Sequence, residues 1–470
     1  MIGTLLAIHA LLQPGSTEVT VYNQGLGFIK DVRNLKLRKG TQNIVVEDVA
    51  QMIDATSVGF KCLNNPGSVS ILEQNYQYDL ISPEAILQKS VGKRIRFTRT
   101  MGTQTESVEG VLLSSPTSVV NNGDGPTMQY NGLVIRTDDG RILLSPEGEI
   151  DVLEMPEGLI SKPSLLWQVD SDRDQDAKME LNYLTQGMKW SANYVLTMGD
   201  GGSADLQGWV TLDNQSGVSF DNATLKLLAG DVNVVQNEIP MATGGIAIKV
   251  APAAKAPMSE ESLFEYHLYT LDRPATVKNK ETKQLSLLEG FNIPVQKVLY
   301  YEAYANMSGN EDESKNEAAQ VRIKFINDKK SNLGMPMPAG KMRLYQRDSK
   351  GSVQFLGEDM INHTPKDEKI SLEVGTAFDV RIDRKPTNYV KLGRDSKNNT
   401  NAARISYELE VRNHKEEPVT VYLYEHESGD WRVVEKSQDY IKDDASTIVF
   451  EVRLAAGETK KVTYSVESKW

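Results

Sequence analysis

The stretch YLTQGMKWSANYVLTM, Tyr183 to Met198, decides how the chain is read. It sets a Trp, two Tyr and a glycine turn into sixteen positions, which suits a binding cleft and a sandwich core equally. Alternation separates the two. Successive side chains on a strand point to opposite faces. Met179, Leu181 and Tyr183 therefore share a face before Gly187, and Trp190, Ala192, Tyr194 and Leu196 share one after it. Trp209 follows on the next strand, beyond a GDGG turn at 199–202. Three antiparallel strands with their rings on one side form an ordinary layer between two sheets. The competing reading is an open aromatic platform for sugar, built on Trp190 or Trp209; the stretch is read as core.

Working outward, the same period of two recurs. EVTVYN (18–23), RIRFTR (94–99), LVIRT (133–137), VRIKFIN (321–327), KMRLYQ (341–346), RISYELEV (404–411), PVTVYLYE (418–425), STIVFEVRL (446–454) and KVTYSVE (461–467) alternate apolar with polar residues. They are rich in Val, Ile, Tyr and Thr and bounded by Gly, Asp, Asn or Pro, the signature of sandwiches and barrels. One helix is predicted, SPEAILQKSVG, with Ser82 as cap, Pro83 in its first turn and Gly92 at its end. After it, short strands at about 91–155, with an Asp139-Gly140 turn, read as a small SH3- or Sm-like barrel. Lys93, Arg94 and Arg96 on its first strand read as a solvated face.

The fold class is therefore all-β and multi-domain: immunoglobulin-like antiparallel sandwiches with an inserted small barrel. The expected organisation is an apolar leader or disordered lead-in (1–17), an N-terminal β module ending in a short helix (18–83) and the small barrel (84–158). A sandwich with a mobile loop at 241–262 (159–305) and a C-terminal sandwich (306–470) follow. A second polar, acidic loop is expected at 307–320. An internal echo links 19–46 with 210–235: Asn23-Gln24 answers Asn214-Gln215, and Leu35-Lys36-Leu37 answers Leu225-Lys226-Leu227. It reads as two modules of related design, each using a hairpin of the same length.

Composition excludes several functions. The net charge of −12, with acids and bases interleaved, offers no cationic face to displace counterions from nucleic acid. Cys62 is the only cysteine, so one chain has neither a disulfide framework nor a thiolate metal cluster. MIGTLLAIHALLQPGS is too short to span a bilayer, which takes about 20 apolar residues. It has the length of a secretory leader but no Lys or Arg before its apolar core. A leader or a first strand are the two readings.

Local motifs of chemistry are sparse. DSDRDQDAK (170–178) begins like a calcium loop, with Asp170, Asp172, Asp174 and Asp176 at alternate positions. It carries Gln175 and Leu181 where an EF-hand needs Gly and Glu, and reads as a charged hairpin tip. His9, His267, His363, His414 and His426 lie too far apart for a helical zinc pair. Glu425 and Glu427 must face away from His426. FEYHLYTLDRP (264–274) is the most mixed stretch: His267, Tyr269 and Arg273 fall on a face suited to a polar ligand, although a strand buried between sheets explains it as well. His267, Tyr269, Arg273 and His363 are the candidate binding residues; no catalytic residue, metal ligand or cofactor is assigned.

These blocks, in order with LQGWVTLDNQSGVSFDNATLKLLAGDVN, MPAGKMRLYQRDSKGSVQFLGEDMINHTPKDEKISLEVGTAFDV and YELEVRNHKEEPVTVYLYE, resemble a bacterial family. It is the domain of unknown function 4139 family, the C-terminal domain of mucoidy-inhibitor-like proteins. The likeness covers about 160–470, with a weaker match at 18–80. Many relatives carry a coiled-coil insert where this chain has its small β unit, so partner contacts made by that coiled coil do not transfer. The resemblance implies a two-part β architecture and export to the cell envelope, and brings no reaction. The first expectation is a non-catalytic extracytoplasmic protein, in periplasm or at the cell surface, that binds or scaffolds envelope proteins or glycans. A hydrolase acting on glycan or peptide, with a site between modules near His267, Arg273 or His363, and a carbohydrate-binding module are the alternatives.

Overall fold

A computed structural model of the chain describes residues 14–101, 104–114, 117–121, 126–130, 132–230, 232–233, 258–305, 313–395 and 400–469. Residues 1–13 of the expected leader or lead-in, residues 241–257 of the expected mobile loop, and the start of the expected acidic loop lie outside the described residues, whereas 14–17 belong to the strand Pro14–Tyr22. The rest of those loops is strand: Met258–Leu263 and Ser314–Ile326 both join sheets, correcting the expectation of loop there.

The protein is all-β and built from several separate sheets. An eight-stranded sheet runs Met258–Leu263, Tyr266–Leu271, Phe220–Ala229, Pro14–Tyr22, Leu26–Leu37, Gln175–Gln186, Gly59–Cys62, with Ala275–Val277 added on Phe220–Ala229. Gly40–Glu47, Ser164–Ser171 and Val69–Gln77 make a three-stranded sheet. A five-stranded sheet runs Glu281–Pro294, Ser203–Asn214, Met188–Met198, Gly340–Arg347, Val353–Ile361. Residues of all three sheets enter one hydrophobic core, among them Val19, Trp167, Tyr183 and Tyr194.

Gly187 is where the deciding stretch changes sheet. Gln175–Gln186 pairs with Leu26–Leu37, whereas Met188–Met198 pairs with Ser203–Asn214, so the two halves are a crossover and not neighbouring strands. Gly187 has φ +80°, and a Cβ there would lie 3.0 Å from the Gln215 carbonyl. Only glycine meets both conditions without strain. The rings behave as mortar: Tyr194 is buried and donates to the Pro338 carbonyl at 2.8 Å, and buried Trp190 donates to the Leu228 carbonyl at 3.3 Å. Trp209 departs from this pattern. It falls on the outer face of its strand, between buried Gly208 and Val210, and is 36% exposed.

The echo is likewise no pair of matching hairpins. Pro14–Tyr22 and Leu26–Leu37 do pair, but Ser203–Asn214 stays in the five-stranded sheet while Phe220–Ala229 crosses to the eight-stranded one. There Phe220–Ala229 lies parallel to Pro14–Tyr22, Val19 opposite Leu225 and Val21 opposite Leu227.

The helix Pro83–Lys89 forms as its capping signals dictate, with the Ser82 hydroxyl accepting from Ala85 N–H at 3.0 Å. The small unit beyond it has its own core of Ile95, Phe97, Leu112, Leu133 and Ile135. The expected barrel closure is corrected. Its strands form an open sheet, Ile142–Leu144, Val134–Thr137, Gln104–Leu112, Arg94–Met101, Glu149–Val152, beside a separate pair Thr117–Asn121 and Pro126–Tyr130. Its two edge strands, Ile142–Leu144 and Glu149–Val152, do not pair with each other. Arg94 and Arg96 both bridge to Glu109, which neutralises the basic strand.

A nine-stranded sheet completes the chain: Asp430–Lys436, Thr459–Lys469, Thr400–Asn413, Lys369–Asp395, Ser314–Ile326, Gln296–Tyr304, Val419–His426, Thr447–Leu454, Ile441–Lys442. Tyr464 and Glu425 stand on strands five places apart in this order, roughly 24 Å in a flat sheet at about 4.8 Å per step. They are hydrogen-bonded at 2.7 Å, so the sheet is rolled and its halves face each other across a second core. Ser314–Ile326 and Lys369–Asp395 serve both cores. Phe325 and Leu372 belong to the first, Ala319 and Ile382 to the second.

Candidate functional site

A cleft of about 830 Å³ opens between the eight-stranded sheet, the edge of the three-stranded sheet and the 217–221 loop. Its floor follows from one strand. Ile29, Asp31, Arg33, Leu35 and Leu37 share the inward face of Leu26–Leu37, so two charges interrupt an apolar stripe. Placed two residues apart on one face, they pair: Arg33 Nε donates to Asp31 Oδ2 at 2.6 Å and Arg33 Nη1 to the Glu47 carbonyl at 2.6 Å. The Thr17 hydroxyl donates to the other Asp31 oxygen at 3.2 Å. An ion pair this enclosed needs such additional hydrogen bonds to offset its desolvation.

Tyr183 stands beside it, opposite Ile29 in register. Burial pushes its phenol up and keeps it neutral, while its oxygen accepts from Ala50 N–H at 3.3 Å. One wall carries Asp48, held at φ +61°, whose carboxylate pairs with Lys162 at 2.8 Å and raises that ammonium's pKa. The facing loop is held by Asn214, which donates to the Val218 carbonyl at 2.9 Å and accepts from Ser216 at 2.7 Å. Gly217, at φ +92°, lets the loop lie against Gln51, whose Cβ would be 2.3 Å from an added Cβ. With both Asp31 oxygens engaged, the floor is suited to orienting a polar guest and not to general-base chemistry.

The residues singled out from sequence lie elsewhere. His267 is half-buried, with Nδ1 2.7 Å from Glu260 Oε1 on the neighbouring strand. Tyr269 is a correction to its solvent-facing placement. Its strand is covered on both faces, Leu268 and Tyr269 are both buried, and the Tyr269 hydroxyl donates to the Pro336 carbonyl at 2.9 Å. Burial raises that phenol's pKa well above its ordinary range. Arg273 is exposed on the turn before Ala275–Val277. His363 is exposed in the connection after Val353–Ile361, where Nδ1 accepts from Ala339 N–H at 3.3 Å. Tyr269 and His363 thus meet the same 336–339 segment, one from the core and one from solvent. None of the four lines the cleft.

The aspartates of 170–178 hold the chain and not a shared centre: Asp170 accepts from Thr41, Asp174 from Lys39 N–H, and Asp172 pairs with Arg173. Among the described residues no group of three His, Cys, Asp or Glu is placed to hold a metal ion. No helix among them is long and apolar enough to cross a membrane.

Glu425 and Glu427 turn inward, as alternation requires, while His426 stacks outside on Tyr304 with ring centroids 4.6 Å apart. Inside, Arg384 reaches both Glu425 oxygens at 3.2 and 3.0 Å and lies over the Tyr407 ring. Burial alone would lower the Arg384 pKa, but Glu425 outweighs it and holds the guanidinium charged. Sequence reading missed both this cluster and the cleft. The usable signal was the same in each: a charge on the apolar phase of an alternating strand.

Fold and cleft together define an all-β, multi-sandwich protein with a charged recess between its first sheets. The chain belongs to the family of the domain of unknown function DUF4139, whose model matches residues 179–470. No curated protein matches the chain. The cleft straddles the start of the matched region. Tyr183 and the 217–221 loop fall inside it; Thr17, Asp31, Arg33, Glu47 and Lys162 precede it.

Proposed function

We propose that this is a non-catalytic, extracytoplasmic protein that binds or scaffolds components of the cell envelope. The observation that carries the reading is the cleft, a concave surface whose floor charges are locked to each other and so can recognise without reacting. Elsewhere, too, reactive side chains are engaged in structural contacts: His267 with Glu260, Tyr269 with Pro336, Glu425 with Arg384. Support for the compartment is the apolar start of the sequence and the habit of the family it resembles. Crosslinking in cells, followed by capture from fractionated envelopes and mass spectrometry of the mature N-terminus, tests both parts. A reproducible envelope partner and a cleaved leader are expected; an uncleaved protein recovered with cytoplasmic markers and without partners refutes the reading.

A second reading, a carbohydrate-binding surface, is favoured by Trp209 on the outer face of the five-stranded sheet, flanked in register by Asn193 and Ser286. Quenching of tryptophan fluorescence by soluble envelope oligosaccharides, lost in Trp209→Ala, is its expected result.

A further inference from the structure

We propose that the cleft binds an organic cation, an ammonium group carried on an aliphatic stem; this rests on the binding reading above and names its ligand class. The volume of about 830 Å³ is that of a small-molecule site. Its charge is unbalanced. Asp31, Glu47, Asp48 and Asp221 stand against only Arg33 and Lys162. Both cations are already committed, Arg33 to Asp31 and the Glu47 carbonyl, Lys162 chiefly to Asp48 and more weakly to the field of Glu47. The carboxylates of Glu47 and Asp221 accept no hydrogen bond among the described residues, so the recess offers surplus negative charge to a guest. They come from different elements, the end of Gly40–Glu47 and the start of Phe220–Ala229.

The lining also carries Ile29, Val45, Val49, Leu80, Pro163 and Val218, which suits a methylene stem. Tyr183 adds a directional element. Its side chain is 2% exposed and lines the cleft, and its oxygen is taken by Ala50 N–H. Its proton has no acceptor among the described residues and is available to an acceptor on the guest. A lysine residue in a peptide supplies both an ammonium and carbonyls; a free polyamine supplies ammonium alone. Both sources share the proposed chemistry.

The test is ligand-observed saturation-transfer NMR on the full chain with three probes: spermidine, Nα-acetyl-lysine N-methylamide and the same amide acetylated on Nε, which is neutral. At low salt at least one cationic probe binds and the neutral one does not, and binding weakens toward 0.5 M salt as screening shortens the field to roughly 4 Å. Glu47→Gln and Asp221→Asn each weaken the cation about two- to fivefold, and more together, with unchanged thermal denaturation because neither side chain is in the core. Tyr183→Phe weakens the lysine amide and leaves spermidine alone if the source is peptide; spermidine binding with no effect of Tyr183→Phe points to polyamine, and either result supports the site. Equal binding of the neutral probe, no binding of any probe, or wild-type affinity in Glu47→Gln/Asp221→Asn overturns it. If the cleft fails while crosslinking still recovers an envelope partner, the ligand assignment falls and the scaffold reading stands.

Discussion

Replacing Arg384 with Met isolates what holds the rolled C-terminal sheet together. Arg384 is 5% exposed, Glu425 0% and Glu427 4%. Arg384 Nε contacts both Glu425 oxygens, and the Tyr464 hydroxyl donates to Glu425 at 2.7 Å and to Glu427 at 3.4 Å. Deleting the guanidinium leaves the Glu425 carboxylate in the core facing the Tyr464 hydroxyl. Removing one partner of a buried pair costs about 3–5 kcal/mol, because an uncompensated charge remains. Loss of the stacking on Tyr407 at 4.1 Å, between two buried groups, adds roughly 2 kcal/mol.

A global melt does not assign the loss to one core, since a chain with two large cores need not unfold in one step. Hydrogen exchange read by mass spectrometry is local. Peptides covering 404–411 and 462–466 should lose protection by about 3–5 kcal/mol in Arg384→Met, while peptides from Gln175–Gln186, in the other core, keep theirs. Arg384→Met/Glu425→Gln should lose less than Arg384→Met alone, because the second change removes the stranded charge. A loss under about 1 kcal/mol in the single variant, or a double variant as damaged as the sum of its parts, would refute the view that the cluster's cost is unpaired charge.

Other expectations concern the strands that position the cleft and the cores. Gly187→Ala should destabilise by about 1–3 kcal/mol through its positive φ and the Gln215 carbonyl; Gly140→Ala, also at positive φ but with open space, should cost about 1 kcal/mol, both by urea denaturation with near-ultraviolet dichroism. Trp190→Ala should cost about 3–5 kcal/mol and Trp209→Ala clearly less, since only the first ring fills the core; equal losses would remove the distinction drawn between them. Arg412 beside Asp383, at 2.7 and 2.8 Å, holds that carboxyl at about 2, below its ordinary 3.8. A depressed acid adds stability that is complete above the unfolded value and lost as pH falls from about 4 through 2. Asp383 is 35% exposed, so this amounts to about 1 kcal/mol, and Asp383→Asn should flatten the acid limb of the urea midpoint over that range.

How much was legible in the residues varies with the range of the interaction. KVTYSVE and RISYELEV announce strands because alternation is local, and they lie within Thr459–Lys469 and Thr400–Asn413. Ser82 and Pro83 announce a helix start for the same reason. The acidic run at 307–320 departs from a loop from Ser314 onward, because polar composition marks loops only on average. Ser314–Ile326 is strand since Ala319, Ile323 and Phe325 have a core to enter. Tyr269 fits a solvent face and a buried strand equally from its residues, because a strand with both faces covered reads like one with a solvent face.

Strand type, helix cap and the turn at Gly187 follow from the sequence alone, since each depends on φ, ψ and the side chains of a few adjacent residues. Family membership rests there too, in the order of the sequence blocks from Met179 onward. Tertiary structure decided the rest. Val19 lies beside Leu225, Glu47 shares a cleft with Asp221, and Tyr464 reaches Glu425. Hydrogen bonds of a sheet pair any two strands whose faces match, so the partner is chosen by the whole core's packing and not by either segment.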